Sequence, residues 1–279
     1  MSRQELLIGT HPKPPNFFGR WLNSTDHPET DRQCHRSLTQ TGKMPKNEII
    51  DWLANKVIHH HYKDEKIQHL KNKYRELGFA KYAEHMESIR RIPNDDKVRK
   101  GNMTEIILCE YVLNSTKKQL IKTFRFRYST NIDQSMKGDD VLMVDYDYEE
   151  DDIEVYLGEA KFRKTPAPEV VRDITNALST DKKPLSFTFL VDRLLESAST
   201  KEIGSHLEQF VIETVKQQGK ITYSGLLLSQ EACVKTVQNH LDSDNPKLVF
   251  LSLGVENPTD LMKKIFARVE EKLADPEQL

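Results

Sequence analysis

Gly138-Asp139-Asp140-Val141-Leu142-Met143-Val144 and, after an acidic turn, Val155-Tyr156-Leu157-Gly158-Glu159-Ala160-Lys161 are the two runs on which the architecture turns. Each is apolar enough for a strand and carries carboxylates at one end. Alternate side chains of an extended strand share a face, so Glu159 and Lys161 point one way and Ala160 the other. An acid and an amine aimed at one place, with an Asp on the adjoining strand, suit phosphodiester hydrolysis. A hard cation such as Mg²⁺ takes oxygen ligands, usually a carboxylate or two plus water and substrate phosphate. Asp140 and Glu159 would be its protein ligands, with the backbone carbonyl of Ala160 as another. Lys161 would orient or deprotonate the attacking water.

Asp140 followed by Glu159-X-Lys161 resembles the core of the PD-(D/E)XK nuclease superfamily. That core runs as a helix bearing an acid, a strand, a strand bearing Asp and a strand bearing Glu-X-Lys. Gly101 to Leu108 supplies the helix, with Glu105 as its acid, and Gln119 to Tyr128 supplies the first strand. More narrowly, Gly101 to Glu105, Lys137-Gly138-Asp139-Asp140 and Gly158-Glu159-Ala160-Lys161-Phe162 resemble the HamA family, the effectors of the Hachiman antiphage system. The match is most specific over roughly residues 100 to 165. The resemblance implies a Mg²⁺- or Mn²⁺-dependent deoxyribonuclease with Glu105, Asp140, Glu159 and Lys161 as its site. Glu105, Asp140, Glu159 and Ala160 would surround the metal, DNA would be the substrate, and a HamB-like superfamily 2 helicase would be the partner. Asp140 is preferred over Asp139 because it directly precedes the apolar run, as the superfamily's metal-binding Asp does. Asp139 stays the alternative, since neighbouring strand residues face opposite ways.

The expected fold is α/β: a PD-(D/E)XK restriction-endonuclease-like core with a mixed central sheet flanked by helices, plus an N-terminal, mostly helical region. The division falls at residues 1–98, an irregular arm and helical region, and 99–279, the core. With 30% charged and 37% hydrophobic residues the chain is polar but not of disordered composition. A formal net charge of −2 offers no global basic excess. DNA contact must therefore come from a local patch or a partner, and the isolated chain is expected to bind DNA weakly. Three scattered cysteines without CxxC spacing read as free thiols in a reducing compartment. No apolar run is long enough to span a membrane, which predicts a soluble, cytoplasmic protein. There is no GxxxxGK[ST] loop, so ATP-driven work would belong to the partner.

Residues 1 to 46, with Pro12, Pro14 and Pro15 before Phe17, Phe18 and Trp21, read as an ordered but irregular arm. Asn47 to Ile92 is helical in pattern and stops at Pro93-Asn94-Asp95-Asp96. Its His59-His60-His61 fans out at about 100° per residue and cannot converge on a metal, so a solvated or DNA-facing helix surface is expected. Lys63, Lys66, Lys71, Lys73 and Arg75 are a wet face that also suits phosphate. A helix starting near Asn102 or Thr104 would place Glu105 in its first turn, and Glu105 is preferred over Glu110 as the metal-site acid. In the strand expected over Gln119 to Tyr128, Arg125 and Arg127 share a face and are phosphate candidates, as are Arg163 and Lys164 just beyond Lys161. The carboxylates from Asp145 to Glu154 read as a solvated hairpin tip. Helices are expected over 169–178, 200–215 and 259–273, strands over 221–228 and 247–253, and either state over 185–195. Two other functions compete with the nuclease. One is a non-catalytic scaffold or DNA-binding subunit that keeps the fold; the other is a restriction-type endonuclease with a sequence-specific cut.

Overall fold

The computed structural model describes residues 1–279 apart from 130, 135–137, 148, 150–151, 180–186, 197–200 and 214–219. Lys137, Glu150 and Asp151, the start of the run at Leu185, and the ends of the helix expected over Thr200 to Val215 lie outside the described residues. In chain order the elements are α1 (Arg3–Ile8), α2 (Phe17–Trp21), β1 (Leu22–Asp26), β2 (His35–Gln40), α3 (Lys46–His61), α4 (Asp64–Ser88), α5 (Asp96–Ser115) and β3 (Ile121–Lys122). A 3-10 turn (Arg125–Tyr128) leads to β4 (Val141–Asp147), β5 (Asp152–Phe162), α6 (Pro168–Ala177), α7 (Phe187–Leu195) and α8 (Lys201–Glu213). There follow β6 (Ile221–Ser229), α9 (Cys233–His240), β7 (Leu248–Gly254) and α10 (Pro258–Ala274), and a second 3-10 turn (Pro276–Gln278) closes the chain.

The strands form one seven-stranded sheet in the order β1-β2-β7-β6-β5-β4-β3. The inner set β2, β7, β6 and β5 is parallel, while β1, β4 and β3 add antiparallel at the edges. Every position of β6 and β7 is buried, as expected of strands covered on both faces. One face, with Tyr156, Ala160, Leu226, Leu228, Leu251 and Leu253, packs against apolar side chains of α3, α5 and α10. The other, with Leu142, Val155, Leu157, Leu227 and Phe250, packs against α6 and α9 and the described residues of α7 and α8. This is the expected α/β architecture with a mixed sheet between helical layers, and α5, β3, β4 and β5 follow one another in the order read from the sequence. Among the described residues no helix is long and apolar enough to cross a membrane.

Four expectations are corrected. The arm over residues 1–46 is not irregular: β1 and β2 lie within it, and β2 pairs with β7 from His35↔Phe250 to Thr39↔Gly254. The sheet therefore crosses the boundary drawn between residues 98 and 99. The strand over Gln119 to Tyr128 is reduced to Ile121–Lys122, after which the chain turns into the 3-10 segment. Phe126 goes inward to stack on His61, with ring centroids 4.9 Å apart, and Arg125 turns toward buried carboxylates, so the apparent alternation is not a strand's two faces. The helix bearing Glu105 begins at Asp96, capped by the Asp95 carboxylate accepting the Val98 N–H at 2.8 Å, so Glu105 sits mid-helix and not in the first turn. His60 and His61 are buried, not solvated; His60 Nε2 lies 2.8 Å from Glu110 Oε1, while His61 Nδ1 donates to the Val57 carbonyl.

Elsewhere Leu185 to Leu195 resolves as helix within its described part, and the short helix α9 has no counterpart among the elements expected from the sequence. The long α4 breaks at Gly78, whose φ of 71° suits a residue without a Cβ.

Candidate active site

The site is assembled where α5 lies across β5. Gly158 makes the approach possible. A Cβ built there would stand 2.8 Å from Leu108 Cδ2 on α5 and 2.9 Å from Val141 Cβ on β4, both too close for van der Waals contact. Glu105, three residues before Leu108, is one turn back along the same face of α5 and is thereby carried to the end of β5 that bears Glu159 and Lys161. The antiparallel register ends at Val141↔Gly158, which brings Asp140 opposite Glu159. Asp140 Oδ2 accepts the Ala160 N–H at 2.9 Å, fixing the carboxylate against β5. Asp139 offers a backbone carbonyl to Arg125 Nη1 at 2.7 Å and does not line the cleft.

Glu105, Asp140, Glu159, Ala160 and Lys161 thus share one cleft of about 650 Å³, rimmed by Lys97, Lys100, Arg163 and Lys164. Arg163 and Lys164, expected beside the site, are there. Arg125 is inside the cleft. Its Nη2 stands 2.7 Å from Glu105 Oε2 and 3.4 Å from Asp140 Oδ1, bridging two of the three acids. The residue expected on an exposed strand face is a largely buried partner of carboxylates. Arg127 is also turned from an open face: Nε and Nη2 donate to the His59 carbonyl, and the guanidinium stacks 3.6 Å from the Phe124 ring centroid.

Burial is the largest influence on the acids. It pushes the Glu105 carboxyl well above the ordinary carboxylate range, the nearby Asp140 charge adds to the rise, and Arg125 opposes it. Glu159 is raised for the same two reasons, against the pull of Lys161. For Lys161, burial disfavours the ammonium, but contact with Glu159 and the charges of Asp140 and Glu105 outweigh it, and its pKa is raised. In this arrangement Lys161 is a cation and hydrogen-bond donor, not a ready base.

The donors are all oxygen, as a hard cation requires. Glu105 Oε2 is buried and, although ion-paired, makes no aligned hydrogen bond, so one lone-pair direction is left open. Among the described residues no three His, Cys, Asp or Glu side chains are grouped closely enough to hold a metal ion between them. Mg²⁺ does not need such a group, since it keeps much of its water and uses few protein carboxylates. The residues present therefore fit such an ion.

Glu110, set aside in favour of Glu105, belongs to a different cluster. It is buried with His60 and ion-paired to Lys56 at 2.7 Å and to Lys122. Burial alone would raise its pKa, but these hydrogen bonds and charges hold it well below the ordinary range. The acidic hairpin is partly neutralised, because Lys118 pairs with Asp145 and Glu154, and Lys220 with Asp152.

Sequence reasoning missed Arg125 as an internal counter-ion and the buried His60–Glu110 pair. The spacing of Glu105 and Glu110, which places them on different sides of one helix, was the available signal for two separate clusters.

A family model for HamA matches residues 15–269. The Hachiman protein HamA of Bacillus cereus is 34% identical over 277 residues, covering 99% of this chain and 98% of that protein. The match therefore reaches from the N-terminal strands through the cleft to α10, and the chain belongs to the HamA family.

Proposed function

We propose that this protein is a metal-dependent deoxyribonuclease of the PD-(D/E)XK type. It would act in the cytoplasm as the effector of an antiphage defence system, under the control of a HamB-like helicase. The observation that carries the reading is the convergence of Glu105 from α5, Asp140 from just before β4, and Glu159 and Lys161 from β5 in one cleft. The family membership supports the defence role.

Asp140, Glu159 and the Ala160 carbonyl would hold Mg²⁺ or Mn²⁺, with Glu105 close by. Bound there, the ion would supply Lewis-acid stabilisation of charge on the phosphate and a lower pKa for attacking water. Lys161, held as an ammonium, orients that water or donates to a phosphate oxygen. Arg163 and Lys164, on the cleft rim, contact backbone phosphate beside the scissile bond. Arg125 has to release Glu105 and Asp140 for both to face a cation.

A second reading is favoured by that same bridge. A site in which Arg125 already pairs with two of the three acids suits a non-catalytic, DNA-binding subunit of a helicase complex. One experiment separates the two. Plasmid and linear DNA are incubated with the purified chain and Mg²⁺, Mn²⁺ or EDTA, then with a helicase partner and ATP. Metal-dependent cutting reduced at least about a hundredfold in both Glu159→Ala and Lys161→Ala is expected of the nuclease. Absence of cutting under every condition, partner included, selects the subunit.

A further inference from the structure

A second concavity, of about 520 Å³, is lined by the 3-10 turn that also contributes to the carboxylate cleft. Arg125 lines the cleft and Arg127, two residues on, lines this pocket. Lys63, Lys66, His69 and Arg91 surround it together with Arg127, and Glu65 is the acid among its lining residues. Arg91 and Arg127 are fixed by backbone groups: Arg91 Nη1 donates to the Arg127 carbonyl at 3.2 Å, and Arg127 is held on the His59 carbonyl.

The distribution of arginine partners distinguishes this surface from an ordinary solvated charge face. Arg3, Arg20, Arg32, Arg36, Arg75, Arg90, Arg99, Arg125, Arg172 and Arg268 each lie in an ion pair with Asp or Glu. Among the described residues, the arginine side chains without a carboxylate are Arg91 and Arg127 at this pocket and Arg163 on the cleft rim. Lys63 and Lys66 likewise make no ion pair. In a chain with net charge −2, the described arginines outside ion pairs line these two concavities, with Asp64 and Glu65 acting on Arg127 only through space. Guanidinium and ammonium groups with free donors in a concave setting suit phosphate oxygens.

We infer that this pocket is a second phosphate site for the DNA backbone, holding the strand outside the cleft while the cleft holds the phosphate to be cut. The inference rests on the proposed nuclease reading for its choice of ligand. The contacts go to the backbone and carry no base preference.

The test is binding in EDTA, independent of any cutting. Anisotropy of a short labelled DNA, single-stranded and duplex, is followed at several salt concentrations for the full chain and for Lys63→Ala/Lys66→Ala. Lys63 is exposed, Lys66 half-buried, and neither holds a carboxylate, so the variant keeps its fold, checked by its melting temperature. The expected result is several-fold weaker binding of both DNAs and a plot of log K against log salt shallower by about 0.7 to 0.9 for each phosphate no longer neutralised. Unchanged affinity and slope, with Arg163→Ala weakened, overturns the inference while leaving the cleft intact. Loss of helicase association without loss of DNA binding assigns the pocket to an acidic protein surface and overturns it too, as does a wild-type chain that binds no DNA. If the carboxylate variants cut normally but Lys63→Ala/Lys66→Ala binds poorly, the nuclease site fails and the pocket stands.

Discussion

Arg125 places a fixed positive charge where the proposed cation would act, and the physical consequence is competition. Its guanidinium lies within ion-pair distance of both Glu105 and Asp140. Removing it leaves the same oxygen donors with no internal cation, so their affinity for a divalent ion rises. For Arg125→Gln we expect Mn²⁺ to bind about tenfold tighter or better in calorimetry, equivalent to about 1.4 kcal/mol. The metal-free variant should also melt at a lower temperature, because breaking a buried charge pair leaves its partner uncompensated, and Mn²⁺ should restore the loss. Equal or weaker Mn²⁺ binding by the variant would mean that Arg125 and the metal do not share these acids. The acids themselves were visible in the sequence as Glu105, Asp140 and Glu159. The arginine was not, because its spacing with Arg127 mimics a strand face, and only burial of the carboxylates explains why it turns inward.

Among the secondary-structure elements, the site depends on how closely α5 can approach β5. Two glycines of the motif make opposite predictions. Gly158 has no room for a side chain, whereas a Cβ at Gly101, also on the cleft, meets nothing within 4 Å. Gly158→Leu should push α5 away, cost about 1–3 kcal/mol or more by overpacking and displace Glu105, abolishing metal-dependent cutting. Gly101→Ala should instead raise helix stability by about 1 kcal/mol. Thermal melts of both variants check the pair, and a Gly158→Leu protein as stable as wild type would contradict the packing. The glycine before Glu159 is legible in sequence as part of a motif, but its reason is not. The reason is a helix whose contact with the strand crosses some 50 positions of chain, from Leu108 to Gly158.

Across the fold as a whole, the N-terminal strands and the buried histidines tie distant parts of the chain together, and acid should loosen them. His61, in α3, stacks on Phe126 and is lowered to about 4 by burial, against an ordinary 6.5. Between those two values the unfolded chain binds the proton that the folded one refuses. Stability supplied by neutral His61 is thus present above pH 6.5 and is lost as pH falls through about 4. The raised carboxyls Glu105 and Glu159 act in the opposite sense, favouring the fold at low pH, so the His61 contribution is read as a difference. The melting temperature of His61→Phe relative to wild type should be constant above pH 6.5 and climb as pH falls toward 4, by the equivalent of up to about 3 kcal/mol. A gap that does not change with pH would show that His61 is not held neutral. His35 on β2, lowered to about 3 by burial and bonded to Ser252 on β7, places the same sensitivity at the seam between the arm and the sheet.

The α/β class, the succession of α5, β4 and β5, and the acids and lysine that meet in the cleft are all legible in the linear chain. They follow from local periodicity and from residue types at short spacing, which a sequence displays directly. Folding in three dimensions was needed to set β2 beside β7, to make core residues of His60 and His61, to turn Arg125 to the carboxylates, and to leave Arg91 and Arg127 without any. Each of these depends on which distant groups share a buried space. Burial selects partners by charge and shape at separations that no pattern along the chain records.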